Sequence, residues 1–196
     1  EVKPKVGIVG EIFVKYSPLG NNNLEKFLVK EGAEVYVPGL LDFMLYSVYN
    51  NVIDFDLYGM KKLTAKVSNL IYKFLLKKEE DIIDAVKSEG TFMPPTLFSE
   101  TLKFREGYIS EGVKMGEGWL LTAEMVELIN KGINNIICTQ PFGCLPNHIA
   151  GKGVMKQIRE KNPSANIIAI DYDASASRIN QENRIKLMLS NAKENL

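Results

Sequence analysis

The chain has 196 residues, 45% apolar and 24% charged, the balance of a globular domain long enough to bury a core without disulfide or metal staples. Lys plus Arg number 24 and Asp plus Glu number 24, so the basic excess of a nucleic-acid binder is missing and nucleic acid is not an expected partner. Two cysteines are too few for a secreted disulfide scaffold, and no apolar run reaches the ~18 residues of a membrane span, so the expected location is cytoplasmic, with no membrane partner.

The chain opens Glu1-Val2-Lys3-Pro4, without Met or a signal-peptide pattern. It is expected to be part of a longer multidomain protein. Val6-Gly7-Ile8-Val9-Gly10 is a short apolar run ended by Gly, the pattern of a buried parallel strand. Asn21, Asn22 and Asn23 are good helix caps, and Leu24, Phe27 and Leu28 follow at helical spacing up to a stop at Gly32. Glu34-Val35-Tyr36-Val37 reads as a second strand, closed by Pro38.

From about 41 to 115 Gly and Pro are sparse and helical spacing takes over. Leu63, Val67, Leu70, Ile71, Phe74 and Leu75 form a wide apolar stripe, read as core, with Lys61, Lys62, Lys66 and Lys73 off it as solvated surface. Ile82, Ile83 and Val86 continue the pattern more weakly. Pro94-Pro95 breaks it, and a short helix is expected around Phe98 to Ile109. This stretch is a helical insertion, and Trp119 is expected to pack it onto the sheet.

Alternation then resumes. Leu121, Met125, Leu128 and Ile129 mark a helix stopped by Gly132, and Asn135-Ile136-Ile137-Cys138 a third strand. Asn147 is positioned to cap a helix carrying Ile149, Val154, Met155 and Ile158. Asn166-Ile167-Ile168-Ala169-Ile170 is a fourth strand, and Ser177 can cap a last helix through Ile185, Met188 and Leu189. Strand–helix alternation on both sides of the insertion predicts a single α/β domain over 1–196. Its short parallel sheet has the order 2-1-3-4, as in flavodoxin-like and Rossmann-like folds. Ligands of such sheets bind beyond the C-terminal strand ends, where the order reverses.

Three loops are expected at that edge. Gly10 to Tyr16 follows strand one, Cys138 to His148 follows strand three, and Asp171-Tyr172-Asp173 follows strand four. The second holds both cysteines and the only histidine within eleven residues. Thiolates bind soft metals and iron–sulfur clusters, and a helix start beside Cys144 favours a thiolate. The C-x5-C spacing is neither a zinc-ribbon nor a thioredoxin spacing, and two ligands do not complete a four-coordinate site. Cys138 reads equally as a buried apolar residue. His148 reads as a cap or packing residue before a ligand. Gln140 and Asn147 border the crevice as candidate binding groups. Asp171 and Asp173 are either Mg2+ ligands or loop caps, and Glu11 is either a base or a turn contact. Gly151 and Gly153 point to close approach of a backbone or ligand. No P-loop or Gly-x-Gly-x-x-Gly pattern is present.

Four segments together resemble one family. They are Val9-Gly10-Glu11-Ile12 with Asn21-Asn22-Asn23, Gly116-Glu117-Gly118-Trp119-Leu120-Leu121-Thr122-Ala123-Glu124-Met125, Gln140-Pro141-Phe142-Gly143-Cys144-Leu145-Pro146-Asn147-His148 and Ala169-Ile170-Asp171-Tyr172-Asp173. They look like the acyl-CoA dehydratase activase-related proteins, also described as CoA-substrate-specific enzyme activases. Ala174-Ser175 departs from the pattern, where Pro-Gly is expected. The resemblance implies a part similar to 2-hydroxyacyl-CoA dehydratase subunits. Its partner would be an ATP-binding activase part of the actin-like kind, in the same or a separate chain, with acyl-CoA as a substrate-side partner. In such systems ATP hydrolysis drives one electron onto a [4Fe-4S] cluster and then into the thioester. The resemblance implies Cys138 and Cys144 as cluster ligands, with the remaining ligands outside these residues and no cluster held by this part alone. The alternative is a noncatalytic docking domain that binds an activase partner through the insertion.

Overall fold

The computed structural model describes residues 2–194. Four strands, β1 (Lys5–Gly10), β2 (Glu34–Tyr36), β3 (Asn135–Pro141) and β4 (Asn166–Tyr172), form one sheet ordered β2-β1-β3-β4. Every pairing is parallel, with Val9 opposite Cys138 and Cys138 opposite Ala169. The expected α/β architecture and strand order are therefore present. The strand residues alternate between two apolar layers. Val6, Ile8, Ile137 and Ile170 pack against α2 (Leu24–Lys30) and α8 (Arg178–Glu194). Val9, Ile136, Cys138 and Ile167 pack against α6 (Gly118–Asn130) and α7 (Met155–Lys161).

The segment expected to be a helical insertion contains α3 (Leu40–Tyr58), α4 (Lys62–Glu89) and α5 (Phe98–Phe104). Its core is aromatic. Tyr46 meets the Trp119 ring edge-on at 4.9 Å between centroids, and Phe98 lies 6.1 Å from the same ring. Trp119 is fully buried there, so its ring packs the insertion onto α6 (Gly118–Asn130) and not directly onto the sheet, where its sequence position placed it. The helix α6 lies between the insertion and one face of the sheet: Trp119, Leu120 and Ala123 face the insertion, while Met125 and Leu128 face the sheet. Continuous burial from Gly118 to Leu128 follows from this double contact.

The apolar stripe of α4 is not core. Leu63, Leu70 and Phe74 are 77%, 69% and 61% exposed, and Val67 and Ile71 are exposed as well. The face that packs inward is Ala65, Ser68, Tyr72, Glu79 and Ile83, with Leu75 and Leu76 partly covered. The helix carries two candidate faces on opposite sides. The aromatic cluster around Tyr72 and buried polar contacts selected the less apolar one. A helix unforeseen in the sequence, α1 (Ile12–Tyr16), follows β1 directly. Among the described residues no helix is long and apolar enough to cross a membrane.

Candidate functional site

The three expected loops meet at the C-terminal edge of the sheet. Gly10 has a φ of +137°, and a Cβ there would lie 1.9 Å from the Thr139 carbonyl oxygen. Only glycine permits that approach, and it lets the Glu11 N–H donate to Thr139 O at 3.0 Å. Glu11 is spent on the backbone: its Oε2 accepts from Val14 N at 2.8 Å and caps α1. The sequence left this residue between base and turn contact, and the geometry assigns it the turn.

After β3 the chain does not enter an ordinary helix. Asn147–Gly151 is a single π-helical turn, a feature frequent at functional sites. Asn147 lies inside this turn and makes no cap bond, which corrects its expected capping role. Its Oδ1 instead accepts from the Cys144 thiol at 2.8 Å. Asn147 is fully buried, and among the described residues its Nδ2 has no partner. Rotating that amide by half a turn would present an N–H to the Cys144 sulfur, so one side chain can serve both the thiol and the thiolate.

His148 is fixed from both sides. Its Nδ1 lies 2.8 Å from the Cys144 carbonyl oxygen, which can only accept, so Nδ1 carries a proton. Nε2 is left to accept from Gln140 Nε2 at 3.4 Å, and the same amide donates to Asp171 Oδ1 at 2.5 Å. Gln140, His148 and Asp171 thus form a polar bridge from β3 to β4, and among the described residues the buried Gln140 Oε1 has no partner. Asp171 O in turn accepts from Gln181 of α8 at 2.8 Å. Asp173 stands apart: its Oδ1 accepts from the Ser175 N–H and hydroxyl, both at 2.6 Å, and these bonds hold its carboxyl below the usual range. It is a loop cap and shares no site with Asp171.

The two cysteines occupy different surroundings. Cys138 is fully buried. A Cβ on Gly151 would lie 3.1 Å from its Sγ, so the π-helical turn covers the sulfur because residue 151 lacks a side chain. Burial pushes this thiol up to about 12, and nearby carboxylates add to the effect. A thiolate at Cys138 has no open face, and the nearby Lys15 ammonium does not offset its burial, so it does not fit a ligand role in this arrangement. Cys144 is half-buried, beside exposed Phe142 and Leu145, and fits one thiolate position. Among the described residues no three His, Cys, Asp or Glu side chains are grouped so as to hold a metal ion. A four-ligand cluster therefore needs donors beyond these. The close approach expected at Gly151 and Gly153 is internal: one meets Cys138, and a Cβ on the other would lie 3.0 Å from His148 O.

A second polar group escaped sequence reading. Lys15 of α1 and Glu124 of α6 form an ion pair at 2.8 Å with side chains 1% and 3% exposed. Burial works against the Lys15 charge, and the adjoining carboxylate outweighs it, holding the ammonium above its usual range. Nearby, Glu127 accepts from Thr101 at 3.1 Å and pairs with Lys131 at 3.0 Å. Glu79 of α4 accepts from Phe98 N at 2.8 Å. Burial, together with Glu124, Glu127 and Glu79, pushes the Asp42 carboxyl of α3 up to about 9. The available signal was Glu124 and Glu127 within the apolar run Leu120–Leu128.

Comparison with family models, curated proteins and solved structures found no match.

Proposed function

We propose that the chain is a module of a 2-hydroxyacyl-CoA dehydratase/activase-related iron–sulfur protein and takes part in ATP-driven, low-potential electron transfer. The observation that carries this reading is the Cys144 site. It is a half-buried thiol at the ligand-binding edge of the sheet, held by the buried Asn147 amide on a π-helical turn. Cys144 would contribute one thiolate to a [4Fe-4S] cluster whose other donors lie on another domain or chain. The cluster, when bound, supplies one-electron chemistry. This chain's residues orient the thiolate through Asn147, fix the turn through His148 and Gln140, and tie it to β4 through Asp171.

The test is anaerobic reconstitution of the full-length protein with iron and sulfide. Cys144→Ser is expected to lower iron content and visible absorbance sharply, whereas Cys138→Ser leaves both near wild type. Unchanged iron in the Cys144 variant would sink the assignment. A second reading, a noncatalytic domain that docks an activase partner through the insertion, is favoured by the exposed apolar row on α4. Deleting α3 and α4 should abolish a pull-down with the activase part, and retained binding would count against it.

A further inference from the structure

The exposed row on α4 is ordered. Leu63, Val67, Leu70 and Phe74 recur at spacings of four, three and four, the a/d seam of a coiled coil. The seam lies on the side of the helix opposite Ala65, Tyr72 and Glu79, which are turned into the protein, and spans about 17 Å at 1.5 Å per residue. Its flanks are cationic. Lys61, Lys62, Lys66, Lys73, Lys77 and Lys78 are all exposed, and no acidic residue occurs from Leu57 to Lys78. In heptad terms Lys66 and Lys73 take g positions beside the seam, where charge selects the partner.

We propose that this face docks an amphipathic helix of a partner protein that presents an apolar a/d row flanked by Glu or Asp. A second copy of this chain fits badly, because antiparallel pairing centred on the seam sets the lysine-flanked segment against itself. Ile71, at an e position, is exposed as well, and it is the 4-3-4 spacing of the row that favours a helical partner over a membrane surface. The inference deepens the docking reading of the insertion and does not depend on the iron–sulfur reading.

The probe is a synthetic 28-residue helical peptide with Leu and Ile at a and d and Glu at e and g, kept monomeric by its own like charges. Titrated into the wild-type chain, it is expected to bind in a salt-sensitive manner. The same peptide with Lys at e and g should bind at least ~10-fold more weakly. Leu70→Asp should weaken binding at least ~10-fold, and Lys66→Glu with Lys73→Glu should reverse the preference between the two peptides. Both variants change exposed residues, and circular dichroism checks that they fold. Equal binding of the two peptides, no binding, or indifference to Leu70→Asp overturns the proposal. So does self-association of the wild-type chain at micromolar concentration, or sedimentation with phosphatidylserine vesicles without peptide binding. If the pull-down with the activase part still requires the insertion while the peptide fails, docking stands and the acidic-helix partner falls.

Discussion

Helices α6 and α4 invert the ordinary rule of burial. Helix α6 encloses Glu124 and Glu127, while α4 leaves Leu63, Leu70 and Phe74 in solvent. In α6 each carboxylate has a partner: Lys15 reaches Glu124, and Thr101 and Lys131 reach Glu127. A buried charge persists where its partner and hydrogen bonds are supplied. In α4 the apolar residues are outnumbered by geometry. The helix has one inward face, and Tyr72, packed tilted at 4.8 Å from Tyr49 and edge-on at 6.2 Å from Phe98, occupies it.

The largest expected effect breaks the α6 side of this contrast. Glu124→Ala strands the buried Lys15 charge and should cost about 3–5 kcal/mol of stability, read by urea unfolding. Combining it with Lys15→Met should restore most of the loss, since no unpaired charge remains. An additive double variant would show that the pair is not a unit.

A smaller effect of opposite sign is expected at Asp42. Its folded-state pKa, about 9, lies above the unfolded value of about 4, so the folded chain binds the extra proton between these limits. Stability from this group is therefore fullest at low pH and is lost as pH rises toward about 9. Asp42→Asn removes the ionisation and should flatten this pH dependence, gaining more stability over the parent chain at pH 8 than at pH 5. Thermal melts at the two pH values read the difference, and an equal shift at both would refute the linkage.

The smallest effect sharpens the α4 side. Leu70→Asp should change stability by less than about 0.5 kcal/mol, as surface substitutions do. A loss of several kcal/mol would mean that the row is core after all.

Much of the site was legible before the structure. The loop holding both cysteines and His148 does reach the C-terminal sheet edge, because an apolar strand bounded by turn residues fixes where its following loop emerges. The roles within that loop were not legible. Cys138 lies on the strand and alternates inward, while Cys144 lies six residues on, past Gly143. The Asn147 contact depends on a π-helical turn, which leaves no periodic trace in five residues. Lys15 and Asp42 are separated from their partners by more than thirty positions, beyond any local pattern.

By itself the sequence determined the parallel sheet and its order. Short apolar runs separated by helical periods admit few right-handed windings. It also determined which loops share an edge. Tertiary structure decided which face of α4 turns inward, which cysteine keeps an open sulfur and where carboxylates share a buried site. Each of those outcomes depends on the partner that packing brings across the chain, and periodicity encodes only a residue's own side of its element.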